Sequence, residues 1–248
     1  MRCRKNRKKM TNKESLRTAW LLTLAENSTV MQWGKVAQKL RGLPLYREAA
    51  TVFATPGKSL HQARINCLVD GKNLVMPGSS IRTGFFLLPA RSISFKDIPA
   101  AVTYKGLAEK GQLLKGSAVA KLSVELLLTD SMAVDRNGGR IGDGNGFFDL
   151  CCALLQEFRG LREEWEALTI IDENHISQEL LPQDAWDIKL AGAVTQSGIH
   201  TFAKPEQTPR IFWEALSMDR IRKIDPLWKL YSAKQKSQGK RIEIENLT

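Results

Sequence analysis

Residues 134–158 read VDRNGGRIGDGNGFFDLCCALLQEF. An apolar, strand-like run precedes them, Leu126-Leu127-Leu128 and then Met132-Ala133-Val134. The chain turns through Asn137-Gly138-Gly139 and then places glycine at every second position, Gly142, Gly144 and Gly146. A helical pattern follows, with Leu150, Ala153, Leu154 and Phe158 on one face. Glycine allows backbone N–H groups to converge on a ligand. A helix start just beyond adds unpaired N–H groups and the positive end of the helix dipole. Strand, glycine loop and helix N-terminus make a place to hold phosphate; the plainer reading is a glycine-rich hairpin before a capped helix. Arg140 lies inside the loop, where it is able to pair with a phosphate oxygen. Asp149 falls in the first helical turn, where a carboxylate suits the dipole or holds a phosphate-bridging Mg²⁺. The spacing is not a P-loop, since no G-K-[ST] closes it, and not a Rossmann fingerprint, since Phe147 stands where a third Gly or Ala belongs.

The identities say more than the spacing. Gly138 to Asp149, GGRIGDGNGFFD, resembles the signature G-x-R-[LI]-G-x-G-x-G-[FY]-[FY]-D of the 5-formyltetrahydrofolate cyclo-ligases, also called 5,10-methenyltetrahydrofolate synthetases, at every fixed position. The resemblance implies an ATP-dependent enzyme that closes 5-formyltetrahydrofolate to 5,10-methenyltetrahydrofolate with release of ADP and phosphate. It implies nucleotide contacts along Arg140, Ile141, Gly142, Asp143, Gly144, Asn145, Gly146, Phe147 and Phe148. It also implies Mg²⁺ at Asp149 and Asp187. Phe147 and Phe148 would wall the pterin or adenine, or one of them belongs to the core.

Upstream, Thr11 and Glu14 form a capping box for a first helix whose apolar face is Leu16, Trp20 and Leu24. Lys13 and Arg17, four apart, project together from an adjoining face. By itself such a pair is a solvated stripe. Similar Lys-x-x-x-Arg pairs on the first helix of cyclo-ligases contact ATP phosphates, so the resemblance makes Lys13, Arg17 and Arg140 the catalytic cations. The segment Gly71-Lys72 … Pro77-Gly78 … Arg82-Thr83-Gly84-Phe85-Phe86 resembles a divergent branch found in archaea and some bacteria. Leu181-Pro182-Gln183-Asp184-Ala185-Trp186-Asp187 and Arg210 to Leu227 look like later parts of the same branch. Three departures stand out: Asp143, Asn145, and Ala191 in place of a second Asp. No Glu lies between Glu48 and Glu109, where main-branch enzymes carry a substrate-contacting one.

Remaining elements read as helices over 41–54 and 59–69, the latter capped by Ser59 and stopped by Gly71. Strands are expected over 73–76, 168–171 and 191–195, with an irregular stretch over 81–88. Residues 105–121 are a loop with short elements, either covering a ligand or making a surface excursion. Strands alternating with helices predict an α/β fold, a single doubly wound, mostly parallel sheet flanked by helices on both faces. The expected boundaries are a basic tail over 1–10, the domain over 11–231, and a polar tail over 232–248. Met10 is a plausible native start.

The chain has 248 residues, of which 43% are hydrophobic, enough for a sizeable core. Of the net charge of +11, six units come from Arg2, Arg4, Lys5, Arg7, Lys8 and Lys9. The mild excess elsewhere suits a polyanionic small ligand such as ATP or a polyglutamylated folate, or weak nucleic-acid contact. Cys3, Cys67, Cys151 and Cys152 have neither zinc nor redox spacing, and His61, His175 and His200 have no metal spacing. No apolar run is long enough to span a membrane, and the basic start lacks the apolar segment of a secretory signal. The expectation is a cytoplasmic monomer or small homo-oligomer. A second reading is a relative that binds nucleotide, folate or RNA without cyclo-ligase activity.

Overall fold

The computed structural model describes residues 13–26, 32–237 and 239, with side chains omitted over 21–26. The expected basic tail, Thr11, the side chain of Leu24 and most of the region after 237 lie outside the described residues. In chain order come α1 (Lys13–Glu26), α2 (Trp33–Gly42), α3 (Pro44–Glu48), β1 (Thr51–Ala54), α4 (His61–Val69), β2 (Asn73–Pro77) and β3 (Phe85–Leu88). Next are α5 (Ile98–Ala101), α6 (Tyr104–Lys110), β4 (Gln112–Leu114), α7 (Gly116–Val119), β5 (Val124–Asp130), β6 (Ala133–Asp135) and β7 (Arg140–Ile141). The chain closes with α8 (Phe147–Glu157), β8 (Leu161–Ile170), β9 (Ile176–Ser177), β10 (Gly192–Val194), β11 (Ile199–Thr201), α9 (Met218–Lys223) and α10 (Asp225–Ser237).

The main sheet runs β11-β10-β8-β5-β1-β2-β3-β4, and β6 carries a small second sheet between β7 and β9. Strands β10, β8, β5, β1 and β2 are mutually parallel, while β11, β3 and β4 add antiparallel edges. Alternate residues of each central strand enter opposite apolar layers, as a pleated strand covered on both faces requires. Val52, Ala54, Leu74, Met76, Leu126 and Leu128 pack with Val36, Leu40 and Cys67 of α2 and α4. Phe53, Val75 and Leu127 pack with Phe148, Leu154 and Leu155 of α8 and with Ile224 and Leu227 near the C-terminus. This is the doubly wound, mostly parallel α/β fold that the sequence predicts.

Several elements differ from expectation. The helix expected over 41–54 divides into α3 and the central strand β1, all four residues of which are buried. A four-residue strand covered on both faces shows no alternation, so its sequence carries no period to read. Helix α4 starts at His61 with no side-chain cap, and the Ser59 hydroxyl is buried without a partner. Its end is as expected: Gly71 takes φ +72°, Gly71 N–H donates to Leu68 O at 3.1 Å, and Lys72 N–H donates to Cys67 O at 2.9 Å. Helix α8 is buried continuously from Phe148 to Leu155 rather than on one face, and Ile224 and Leu227 of the C-terminal segment share its apolar cluster. Residues 98–119 fold into three short helices and the edge strand β4. Helix α10 continues to Ser237, past the expected boundary at 231. Among the described residues no helix is long and apolar enough to cross a membrane.

Candidate functional site

Strands β1 and β5 are neighbours, and β1 continues to β2 on one side while β5 continues to β8 on the other, so their outgoing connections run in opposite directions. In such sheets ligands bind outside the carboxyl ends of the strands at this reversal. A cavity of about 1000 Å³ opens there, lined by Thr55 to Lys58 after β1 and Thr129 to Met132 at the end of β5. None of residues 90–123 lines it; that stretch instead packs Ile98, Val102, Leu107 and Val119 into the core. Buried Arg64 holds the first loop, donating from Nη1 to Thr55 O at 2.7 Å and Gly57 O at 2.8 Å. Burial lowers its pKa to about 10, which still leaves it charged at neutral pH.

The glycine loop is the opposite wall. Asp135 shapes the hairpin between β6 and β7: its Oδ1 accepts from Asn137 N–H at 2.8 Å and Gly139 N–H at 2.9 Å. Its Oδ2 accepts from Leu181 N–H at 2.8 Å. Gly138 has φ +75°, and a Cβ there would lie 2.1 Å from Leu190 O, so only glycine fits. Farther on, Asp143 Oδ1 accepts from Asn145 N–H at 3.0 Å and its Oδ2 from Asn145 Nδ2 at 2.9 Å. The two unexpected residues thus build a turn of the loop between them. Gly146 sits in the left-handed region at the start of α8, which has no side-chain cap. That leaves the first amides of α8 available to an anion.

Helix α1 docks beside this loop. Leu16 and Trp20 pack on Ala133, Ile141 and Leu181, and the Trp20 ring lies 5.1 Å from that of His175. This docking aims the expected pair at the cavity. Arg17 Nε donates to Gly142 O at 2.9 Å, and its guanidinium lies under Gly144, 3.2 Å from where a Cβ would be. Lys13 Nζ donates to Asp184 at 2.6 Å and also to Asp187. Lys13, Arg17 and the loop, more than a hundred residues apart in sequence, therefore share one wall.

A model of the 5-formyltetrahydrofolate cyclo-ligase family matches residues 4–196. The chain belongs to that family. Methenyltetrahydrofolate synthase domain-containing proteins of zebrafish (Danio rerio) and human (Homo sapiens) are each 25% identical, over 217 and 214 residues, or 85% and 84% of this chain. The chain spans about 56% and 55% of their lengths. The solved 5,10-methenyltetrahydrofolate synthetase of Aquifex aeolicus superposes with a TM-score of 0.54 at 21% identity, covering 79% of this chain and 95% of that one, a likeness of fold.

Two of the expected site residues on the cavity wall are paired with each other. Arg140 and Asp149 form a buried ion pair, Nη2 to Oδ2 at 2.6 Å, and Asp149 Oδ1 accepts from Ile188 N–H at 2.9 Å. Both carboxylate oxygens are thus engaged by the protein. Burial by itself lowers the Arg140 pKa, but the charge of Asp149 and the hydrogen bond to it leave it raised. The guanidinium also stacks 4.8 Å from the centre of the Phe148 ring. Ile141 is core; Phe148 is buried against Phe53 and reaches the cavity, as does half-buried Phe147. Asp187 is paired with Lys13; burial raises its pKa, which that contact partly offsets. Among the described residues no group of three His, Cys, Asp or Glu side chains is placed to hold a metal. Asp149 and Asp187 are each engaged by a cation of the protein, Arg140 and Lys13.

Ala191, the third departure, lies in the sheet core and not on the cavity, so it removes nothing from this wall. In the region lacking Glu, the cavity is lined by Lys58. Sequence reasoning assigned no role to Lys58, Asp130, Arg210, Phe212 or Arg220, all of which line the cavity. The Arg210 guanidinium lies 4.4 Å from the Phe212 ring centre, and that ring packs edge-on to Trp186 at 6.0 Å. Lys58 and Asp130 enter from the ends of β1 and β5, and Arg210, Phe212 and Arg220 enter only through the return of the C-terminal segment.

Proposed function

We propose that this chain binds ATP through the 142–146 loop and catalyses ATP-dependent cyclisation of 5-formyltetrahydrofolate to 5,10-methenyltetrahydrofolate. The observation that supports this reading most is the meeting of Lys13 and Arg17 with the glycine loop over the switch-point cavity. Phosphoryl transfer asks a protein for position and charge rather than for a covalent partner. Loop amides and the start of α8 would cradle the phosphates, with Arg17 and Lys13 beside them. The formyl oxygen takes the γ-phosphoryl group as ADP leaves. N10 then attacks the activated carbon, the carbon–oxygen bond breaks, phosphate departs and the N10 proton is lost. Magnesium enters as the counter-ion of the nucleotide itself, since Asp149 and Asp187 are already engaged. Phe147 supplies an apolar surface for a ring of either substrate.

ADP release strictly dependent on 5-formyltetrahydrofolate, with a matching rise in methenyl absorbance, tests the reading. Arg17→Ala removes a charge-assisted hydrogen bond worth about 1.5–3 kcal/mol and is expected to raise KM for ATP about tenfold or more. A second reading, nucleotide or folate binding without cyclisation, is favoured by the stretch between Glu48 and Glu109, which has no Glu and lines the cavity with Lys58. Tight ATP binding with no folate-dependent ADP release would select that reading.

A further inference from the structure

We propose that Arg220, on the short C-terminal helix α9, is a positioning residue that fixes the shape of the glycine loop. This rests on reading that loop as the phosphate cradle. Helix α9 is held in place by Ile221, which is buried, and by Ser217, whose Oγ accepts from Arg220 N–H at 3.2 Å. From there Arg220 Nη2 donates to Asn145 O at 2.5 Å. Arg17 does the same from α1, with Nε donating to Gly142 O at 2.9 Å. The loop is thus tied at two carbonyls by two cations, one near each end of the chain.

The consequence follows from peptide geometry. A trans peptide is planar, with its C=O and N–H pointing in opposite directions. Fixing Gly142 O aims the N–H of Asp143 away from Arg17, and fixing Asn145 O aims the N–H of Gly146 away from Arg220. The Asn145 N–H between them is occupied by Asp143. Gly144 and Gly146 adopt φ of +93° and +55°. A stretch with three glycines in five residues loses much conformational freedom when it is ordered. If the arginines order it during folding, an anion meets donors already in place, which favours affinity. The matched family segment ends at residue 196, so this fastening comes from the part of the chain beyond it. Arg220 also lines the cavity wall, with Arg17, Arg140 and Arg210.

The test uses the full chain and measures ATP affinity by titration calorimetry, with 5-formyltetrahydrofolate affinity and thermal unfolding in parallel. Arg220→Gln is expected to weaken ATP about tenfold or more, the scale of one charge-assisted hydrogen bond, while folate affinity and the unfolding temperature hold. Arg220→Lys, which keeps a cationic donor, should recover part of the loss. Arg222→Gln, at an exposed position of the same helix outside the cavity, should bind ATP as the parent does. A folded Arg220→Gln protein with unchanged ATP affinity overturns the proposal. So does a parallel fall in ATP affinity, folate affinity and unfolding temperature, which would reduce Arg220 to a packing residue of α9. If the parent chain binds folate but no ATP, the phosphate reading fails and this inference goes with it.

Discussion

Replacing Asp149 by Ala separates two roles that the sequence leaves open for this carboxylate. Asp149 is 7% exposed, as is Arg140, whose Nη2 donates to it at 2.6 Å. Arg140 Nε already lacks a partner. Removing the carboxylate leaves a buried guanidinium uncompensated, which costs about 3–5 kcal/mol. It also strands the Ile188 N–H, at about 1–3 kcal/mol more. For a domain of this size each kcal/mol lowers Tm by about 2–4 °C, so Asp149→Ala should lose roughly 8–32 °C or fail to fold. The double variant Arg140→Met/Asp149→Asn keeps an acceptor for Ile188 and has no orphaned charge. Its loss should fall well below the sum of the losses of Arg140→Met and Asp149→Asn, which with the parent complete the cycle. Scanning calorimetry on the four proteins gives the coupling directly. If Asp149→Ala loses less than about 1 kcal/mol of stability yet abolishes ADP formation, the carboxylate faces ligand or metal and the scaffold role is wrong.

Two glycines with positive φ should answer differently to alanine. At Gly138 a methyl group meets Leu190 O at 2.1 Å, and Gly138 O is the acceptor for Leu190 N–H at 2.9 Å, so Gly138→Ala should yield little soluble protein. At Gly146 nothing lies within 4 Å, so Gly146→Ala should cost only the left-handed penalty of about 1–2 kcal/mol in a urea melt. Burial beside Trp20 lowers the pKa of His175, partly opposed by Asp172. Its folded state favours the neutral ring, so stability is full above the ordinary value of about 6.5 and falls as pH drops below it. Tm of the parent minus that of His175→Asn should therefore shrink between about pH 7 and pH 5, and a difference independent of pH would refute the assignment. Burial pushes the Cys67 thiol up to about 12 and the thiols of Cys151 and Cys152 well above the ordinary range. All three should resist alkylation at pH 8 in the native protein and react in denaturant; native labelling of Cys151 would contradict the burial of α8.

The sequence by itself determined the parts that are local. Glycine at 138, 144 and 146 marks positive φ, because other residues resist that conformation, and the run into Phe147 marks a helix start. The four-residue interval of Lys13 and Arg17 put both on neighbouring turns of α1, and the apolar runs at 73–76 and 168–171 gave strands of the parallel sheet. Tertiary structure alone decided what each charge does. Asp149 became the buried partner of Arg140, and Asp187 the partner of Lys13, since a desolvated charge is tolerated only beside its opposite. β1 and the contributions of Lys58, Arg210 and Arg220 rest on contacts between segments distant in the chain. Such contacts leave no spacing to read, because nothing in the local backbone demands them.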